Sequence, residues 1–144
     1  MKKIETQYTI ILYVFIVLVT VVVYVIASKE GGNLPSTMLL PSLINLLAFL
    51  LFYKLDLKIT DKKELEISFG IGIIKKKIAL DKISVVKLQN IPFWYGVGIR
   101  VTPDGDTLYN TRWGKGVLLR TKSTKTFLIS VNDIENFKKQ VERP

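Results

Sequence analysis

Three lysines in a row, Lys75, Lys76 and Lys77, and three aromatics in a row, Phe93, Trp94 and Tyr95, are the residues of this chain best equipped to hold a ligand. On a strand Lys75 and Lys77 share one face and Lys76 takes the other. Lys62, Lys63, Lys82 and Lys87 extend the cationic set. Such a set contacts anionic headgroups, or it guards a strand edge against stray pairing, a common use of lysine. The aromatic run follows Pro92 and has three readings: it dips into a membrane interface, grips a protein partner, or packs over one end of a barrel. Trp113 carries the same choice, and Arg100 and Arg112 would flank a groove with Trp94 and Trp113. Cations interleaved with aromatics also suit single-stranded nucleic acid, but a membrane tether is at odds with that partner.

Other chemistry is thinly supplied. The chain has no cysteine and no histidine. That removes disulfides, thiol nucleophiles and Cys-ligated metals, along with the usual general base. Asp56, Asp61, Glu64, Glu66, Asp81, Asp104, Asp106 and Asp133 fall at turns or exposed strand positions, with no pair set up to share a proton or a metal. FGIG and WGKG are followed by strand patterns, whereas a phosphate loop opens a helix. The expectation is a protein with no catalytic residue, cofactor, metal or small-molecule substrate.

Of the 144 residues, two stretches near the N-terminus carry no charge, at 8–28 and 34–53 apart from their margins. The first, YTIILYVFIVLVTVVVYVIA, has about the 20 residues that a helix needs to cross a ~30 Å hydrocarbon core. It exceeds the apolar region of a secretory signal, so it reads as a retained span. The second, LPSTMLLPSLINLLAFLLFY, matches it in length. Pro41 should kink it. Asn45 is its one strongly polar residue, either a contact to another helix or partner or a tolerated polar group. SKEGGN between them is a tight glycine turn, which forces an antiparallel helical hairpin. Lys2 and Lys3 on one flank, with Lys54, Lys58, Lys62 and Lys63 on the other, place both termini in the cytoplasm. The net charge is +9, and from Lys54 onward 18 Lys or Arg face 10 Asp or Glu. Beside a membrane anchor, this balance favours an anionic lipid surface.

From residue 55 the pattern changes to short alternating runs. Eight strands are expected, at 55–60, 64–70, 73–80, 85–89, 97–102, 107–111, 117–121 and 125–130. Breaks fall at DKK (61–63), Gly-Ile-Gly (70–72), Pro-Asp-Gly-Asp (103–106) and Gly-Lys-Gly (114–116). NDIENFKKQVE reads as a closing helix, with Asn132 as N-cap, Glu135 completing a capping box, and Ile134, Phe137 and Val141 on one face. The fold class is α+β: a transmembrane hairpin over 1–54, then a small antiparallel barrel or sandwich over 55–144, closed by a helix.

FGIGIIKKKIALDKISVV (69–86), YGVGIR (95–100), GKGVLL (114–119) and KTFLISVNDIENF (125–137) resemble the bacterial pleckstrin-homology-like (PH-like) domain, over roughly 55–143. The resemblance implies about seven strands and a C-terminal helix, often behind a transmembrane pair. Eukaryotic relatives read inositol phosphates through clustered Lys and Arg in the first strand–strand loop. That loop here offers only Lys62 and Lys63. The resemblance implies a fold more than a role. The expected function is a membrane-anchored binding or adaptor module. It would meet a protein partner or anionic headgroups through its basic face, and a homo-oligomer is compatible with it. The alternative is a subunit of a membrane assembly, of the bacteriocin immunity or export type, acting through Pro41 and Asn45 in its helices.

Overall fold

The first strand is one that no alternation announces. In the computed structural model, which describes residues 2–29 and 34–142, Lys2–Tyr8 forms β1 and pairs antiparallel with β2 (Lys54–Ile59). Between them the chain leaves the sheet and returns, as α1 (Ile10–Lys29) and α2 (Leu34–Phe52). The helices are therefore an insertion between two paired strands. The expected boundary after residue 54 does not separate them from the sheet, and Tyr8, expected in the first helix, is the last residue of β1.

α1 and α2 pack antiparallel. Tyr13 meets Phe49 edge-on at 5.4 Å between ring centres, and Asn45 Nδ2 donates to Thr20 Oγ1 at 3.3 Å. The turn expected between them falls mainly on residues 30–33, which lie outside the described residues. α1 buries only Ala27 and is long and apolar enough to cross a membrane by length and composition. Among the described residues α1 alone is a candidate span, and the apolar stretch counted in α2 is Met38–Phe52. α2 runs through Pro41 as one helix, and the proline removes one amide from its ladder.

The rest follows the alternation closely. β2, β3 (Glu64–Phe69) and β4 (Ile74–Ala79) complete a four-stranded meander in the order β1-β2-β3-β4. β5 (Ile83–Ile91), β6 (Gly98–Val101), β7 (Thr107–Asn110), β8 (Gly114–Thr121) and β9 (Thr126–Ser130) form a second sheet in the order β5-β8-β9-β7-β6. All pairs are antiparallel except β7 with β9. Among the described residues no ladder joins the two sheets, so the open half of the expectation holds and there is no closed barrel. Gly-Lys-Gly at 114–116 is the start of β8 and not a break. Gly116 is needed there because a Cβ would stand 2.7 Å from Ile91 Cδ1, so the isoleucine fills the space a side chain would take.

The inner faces meet in one core. Leu55, Leu57, Leu65, Ile67 and Phe69 from the first sheet pack with Val117, Leu119, Phe127 and Ile129 from the second. α3 (Ile134–Val141) closes the stack with Phe137 and Val141 buried and Ile134 at the margin. Its cap is Asp133, whose side chain accepts from Asn136 N, one residue beyond the expected Asn132. The amides of Asn132 and Asp133 donate to the Glu5 carboxylate.

β1 thus holds the two sheets together. Gln7 is buried; its amide donates to Ser130 O at 2.6 Å, and its carbonyl accepts from Thr111 Oγ1 at 2.9 Å and Ser130 Oγ at 2.8 Å. Removing one partner of a buried set leaves the others unsatisfied. Gln7→Ala is expected to destabilise the full chain by about 2–4 kcal/mol, against about 0.5 kcal/mol or less for the exposed Lys122→Ala. Urea unfolding in detergent micelles checks this; equal effects of the two substitutions would show that β1 is not part of the fold.

Candidate functional site

Strand direction gives the β domain a helix-proximal end and a far end. β2 leaves α2 at Lys54 and runs outward, β3 returns, and β4 runs outward again. Six-residue strands make the ends about 20 Å apart.

At the helix-proximal end the turn between β3 and β4 docks on α2. Ile71 N donates to Leu50 O at 3.0 Å and Gly70 N to Lys54 O at 2.9 Å. Gly70 has φ +55°, and a Cβ there would lie 2.0 Å from Leu50 O, so a side chain is excluded by both conformation and contact. The docked turn leaves Ile71 and Ile73 56% and 71% exposed, against the last turn of α2. The Gly-Ile-Gly break gave no hint of this, because the isoleucines gain meaning only from where the turn docks.

On the other side of the helix pair lies the connection from β5 to β6. These are opposite edges of the second sheet, so the connection crosses the helix-proximal ends of β8, β9 and β7. Its crest is a single 3-10 turn, Phe93–Tyr95. Gly96 O accepts from Asn110 Nδ2 at 2.7 Å and Trp113 Nε1 at 3.2 Å, which holds the crest over the start of β8. Phe93 packs edge-on to Trp94 at 5.2 Å and to Trp113 at 6.5 Å. The rings face outward: Phe93 is 66% exposed, Trp94 69% and Trp113 40%. Of the readings open for this run, packing over a barrel end does not describe Phe93 and Trp94. Past the crest, Val97, Gly98 and Ile99 line a small apolar pocket with Thr9 and Leu12 at the base of α1 and with Phe52.

The cations do not form one patch. Lys62 and Lys63 sit in the turn between β2 and β3 at the far end, where Lys63 O accepts from Leu80 N. Lys82 lies there too, its carbonyl accepting from Lys122 N. Lys75 and Lys77 point outward from β4, and Lys77 Nζ reaches Glu66 at 3.7 Å. Lys76 points inward as expected, its ammonium 5.6 Å from the centre of the Phe127 ring. Arg100 and Arg112 are at the helix-proximal end, but no open groove is theirs. Arg100 Nη2 donates to Val97 O at 2.7 Å and Arg112 Nη2 to Val131 O at 2.9 Å. Among the described residues, Arg112 Nε and Asn110 Oδ1 are buried with no hydrogen-bond partner. Asn45 is engaged within the chain by Thr20.

One ion pair that sequence reasoning passed over marks the helix–sheet junction. Lys54 Nζ lies 3.0 Å from Asp56, which also accepts from Thr6 Oγ1 on β1. Burial raises the Asp56 pKa, but the Thr6 hydroxyl and the Lys54 ammonium outweigh it, and the carboxyl titrates below its ordinary value. Lys54 titrates above its ordinary value, chiefly through its bond to Asp56. Compared with known proteins, the chain matches no family model, no curated protein and no solved structure.

A depressed carboxyl stabilises the fold above its unfolded pKa, and that stability is lost as pH falls through the folded value. A raised ammonium stabilises below its unfolded pKa and is lost as pH climbs through the folded value. The stability gap between the native chain and Asp56→Asn is therefore expected to stay level from about pH 5 to 9 and to close below about pH 4. Chemical unfolding across this range checks it; a gap unchanged at acid pH would show that Asp56 is not held ionised.

Proposed function

We propose that this chain is a membrane-anchored, PH-like binding module that presents a basic edge to an acidic protein partner at the cytoplasmic face of the cell membrane. The junction carries the reading. Tyr8 pairs with Lys54, Thr9 N donates to Tyr53 O at 2.9 Å, and Thr9 Oγ1 donates to Phe52 O at 2.7 Å. Both helices thus pass into paired strands with no linker. A module tethered this way keeps one orientation to the bilayer, and its far end always faces away.

In this reading α1 spans the membrane and α2, 19 residues without a charge, returns across it as the second arm of a hairpin. Two packed sheets with a closing helix support the PH-like resemblance. With β1 counted, the first strand–strand connection is the helix pair itself. The loop through which eukaryotic relatives would meet inositol phosphates is then occupied by the anchor, so no such ligand belongs to the proposal. Lys62, Lys63 and Lys82 stand about 20 Å from the helices, more than two Debye lengths at physiological salt. Headgroups are beyond their reach, and a soluble acidic partner is not. Lys54, Lys75, Arg100, Arg112 and Lys115 are the cations at the leaflet end. Paired helices inserted from one side put both termini on that side, and the lysine-rich flanks make it the cytoplasm.

A second reading, a subunit acting through its helices, has one observation behind it. Asn45 Nδ2 donates to Thr20 Oγ1 across the pair, while Tyr13, Val14, Val17, Leu18, Val21 and Val22 leave an open apolar face on α1. A partner helix would lie along that face.

Protease treatment of intact cells carrying a C-terminal tag is expected to leave the β domain uncut; cleavage would put it outside and overturn the topology. A photo-crosslinker at position 122, beside Lys82, is expected to trap a defined protein, with the adduct lost in Lys62→Glu/Lys63→Glu/Lys82→Glu while the chain stays in the membrane fraction. An adduct indifferent to charge reversal would favour the second reading.

A further inference from the structure

We infer that the helix-proximal rim of the β domain is itself a lipid-docking surface, with Ile71 and Ile73 on one side of the helix pair and Phe93 and Trp94 on the other immersed at the membrane interface. The inference rests on the reading that α1 spans the bilayer, and it goes beyond it. A tethered domain could equally hang clear of the lipid.

Depth is the first argument. The turn of Ile71 is bonded to Leu50 O, inside an apolar helix and short of its end at Phe52. The crest of Phe93 and Trp94 runs on into Val97, which shares a pocket with Leu12, one turn inside α1. The two tips therefore flank the helices at the level where their apolar surface begins. Ile10 on α1 and Leu46 and Leu47 on α2 are exposed as well.

Composition is the second. Two isoleucines and two aromatics at the tips of short turns gain nothing from water, whereas Trp and other aromatic rings favour the headgroup level. The crest is held in place by the bonds from Trp113 and Asn110 to Gly96 O, so its outward rings are fixed by the fold. Charge is the third. Lys75 lies beside the Ile71 turn, its Cε 3.2 Å from where a Cβ on Gly72 would stand, and Lys54 stands at the junction. Cations ringing apolar tips match a surface that is anionic outside and apolar within.

The test uses the full chain in vesicles of phosphatidylcholine and phosphatidylglycerol. The chain has two tryptophans, so Trp113→Phe isolates Trp94. Lipids brominated on the acyl chain are expected to quench roughly half or more of its emission, and aqueous iodide little of it. Because the chain lacks cysteine, Ile73→Cys carrying an environment-sensitive dye reports independently on the other tip, should Trp113→Phe fail to fold. The dye is expected to emit as in lipid. Probes open to iodide and untouched by brominated lipid, in a chain that resists alkaline extraction, would overturn the docking rim and leave the anchor standing. Probes shielded from iodide yet untouched by brominated lipid would mean a protein covers the rim, which also overturns it. A chain released by alkaline extraction would overturn the rim and the anchor together.

Discussion

Thr9 sits where two apolar helices meet two paired strands, and the rest of the architecture depends on what it holds. Its amide and hydroxyl close onto Tyr53 O and Phe52 O, and its carbonyl accepts from Leu12 N, which starts α1. One buried residue therefore ends β1, begins α1 and ties both to the exit of α2. Strands that separate at this point would leave buried backbone groups unsatisfied, in a place where water has limited access. The β1–β2 pair and the helix pair are thus two halves of one hairpin, folded as sheet at one end and as helices at the other.

That constraint passes inward through β1. Alternate residues of the strand have different tasks: Thr6 binds Asp56 on the outer face, while Gln7 reaches Ser130 and Thr111 and Glu5 reaches the start of α3. The second sheet and the closing helix are consequently oriented by the strand that precedes α1. An apolar core of Leu55, Leu57, Val117, Leu119 and Phe137 supplies most of the stability, but apolar contact is not directional. Direction comes from the buried polar ties of β1, which fix the helix exit relative to the sandwich. A rigid exit also separates the two sets of exposed groups, with the apolar tips beside the helices and the lysine turns a strand length away.

The elements from residue 55 onward were legible because apolar and polar residues alternate in LDLKIT and ELEISF, although β2 and β3 bury polar residues of their second face as well, Asp56, Glu66 and Ser68 among them. β1 was not legible. KKIETQY has no clean alternation, it carries a bulge after Lys3, and its partner lies some fifty residues away across two helices. Gly116 read as a turn because the isoleucine that requires it is on another strand. The candidate cations were grouped by nearness in sequence. Strand direction divides them, sending Lys62, Lys63 and Lys82 to the far end and leaving Lys75 near the helices. The aromatic run was visible at once, whereas its exposure follows from a crossing between sheet edges that no local pattern encodes. Ile71 fell in an expected break and Ile73 in an expected strand, and only the docking of their turn on α2 gave them a depth.

The central claim is that the residues before the first apolar segment are a strand of the β domain and not a free tail. Backbone hydrogen exchange of the full chain in vesicles tests it directly. The account predicts that the amides of 3–9 that donate to β2 exchange as slowly as those of β2, since both belong to one ladder and open together. Fast exchange of those amides beside a protected β2 would contradict it, and the helices would then be a flexible tether.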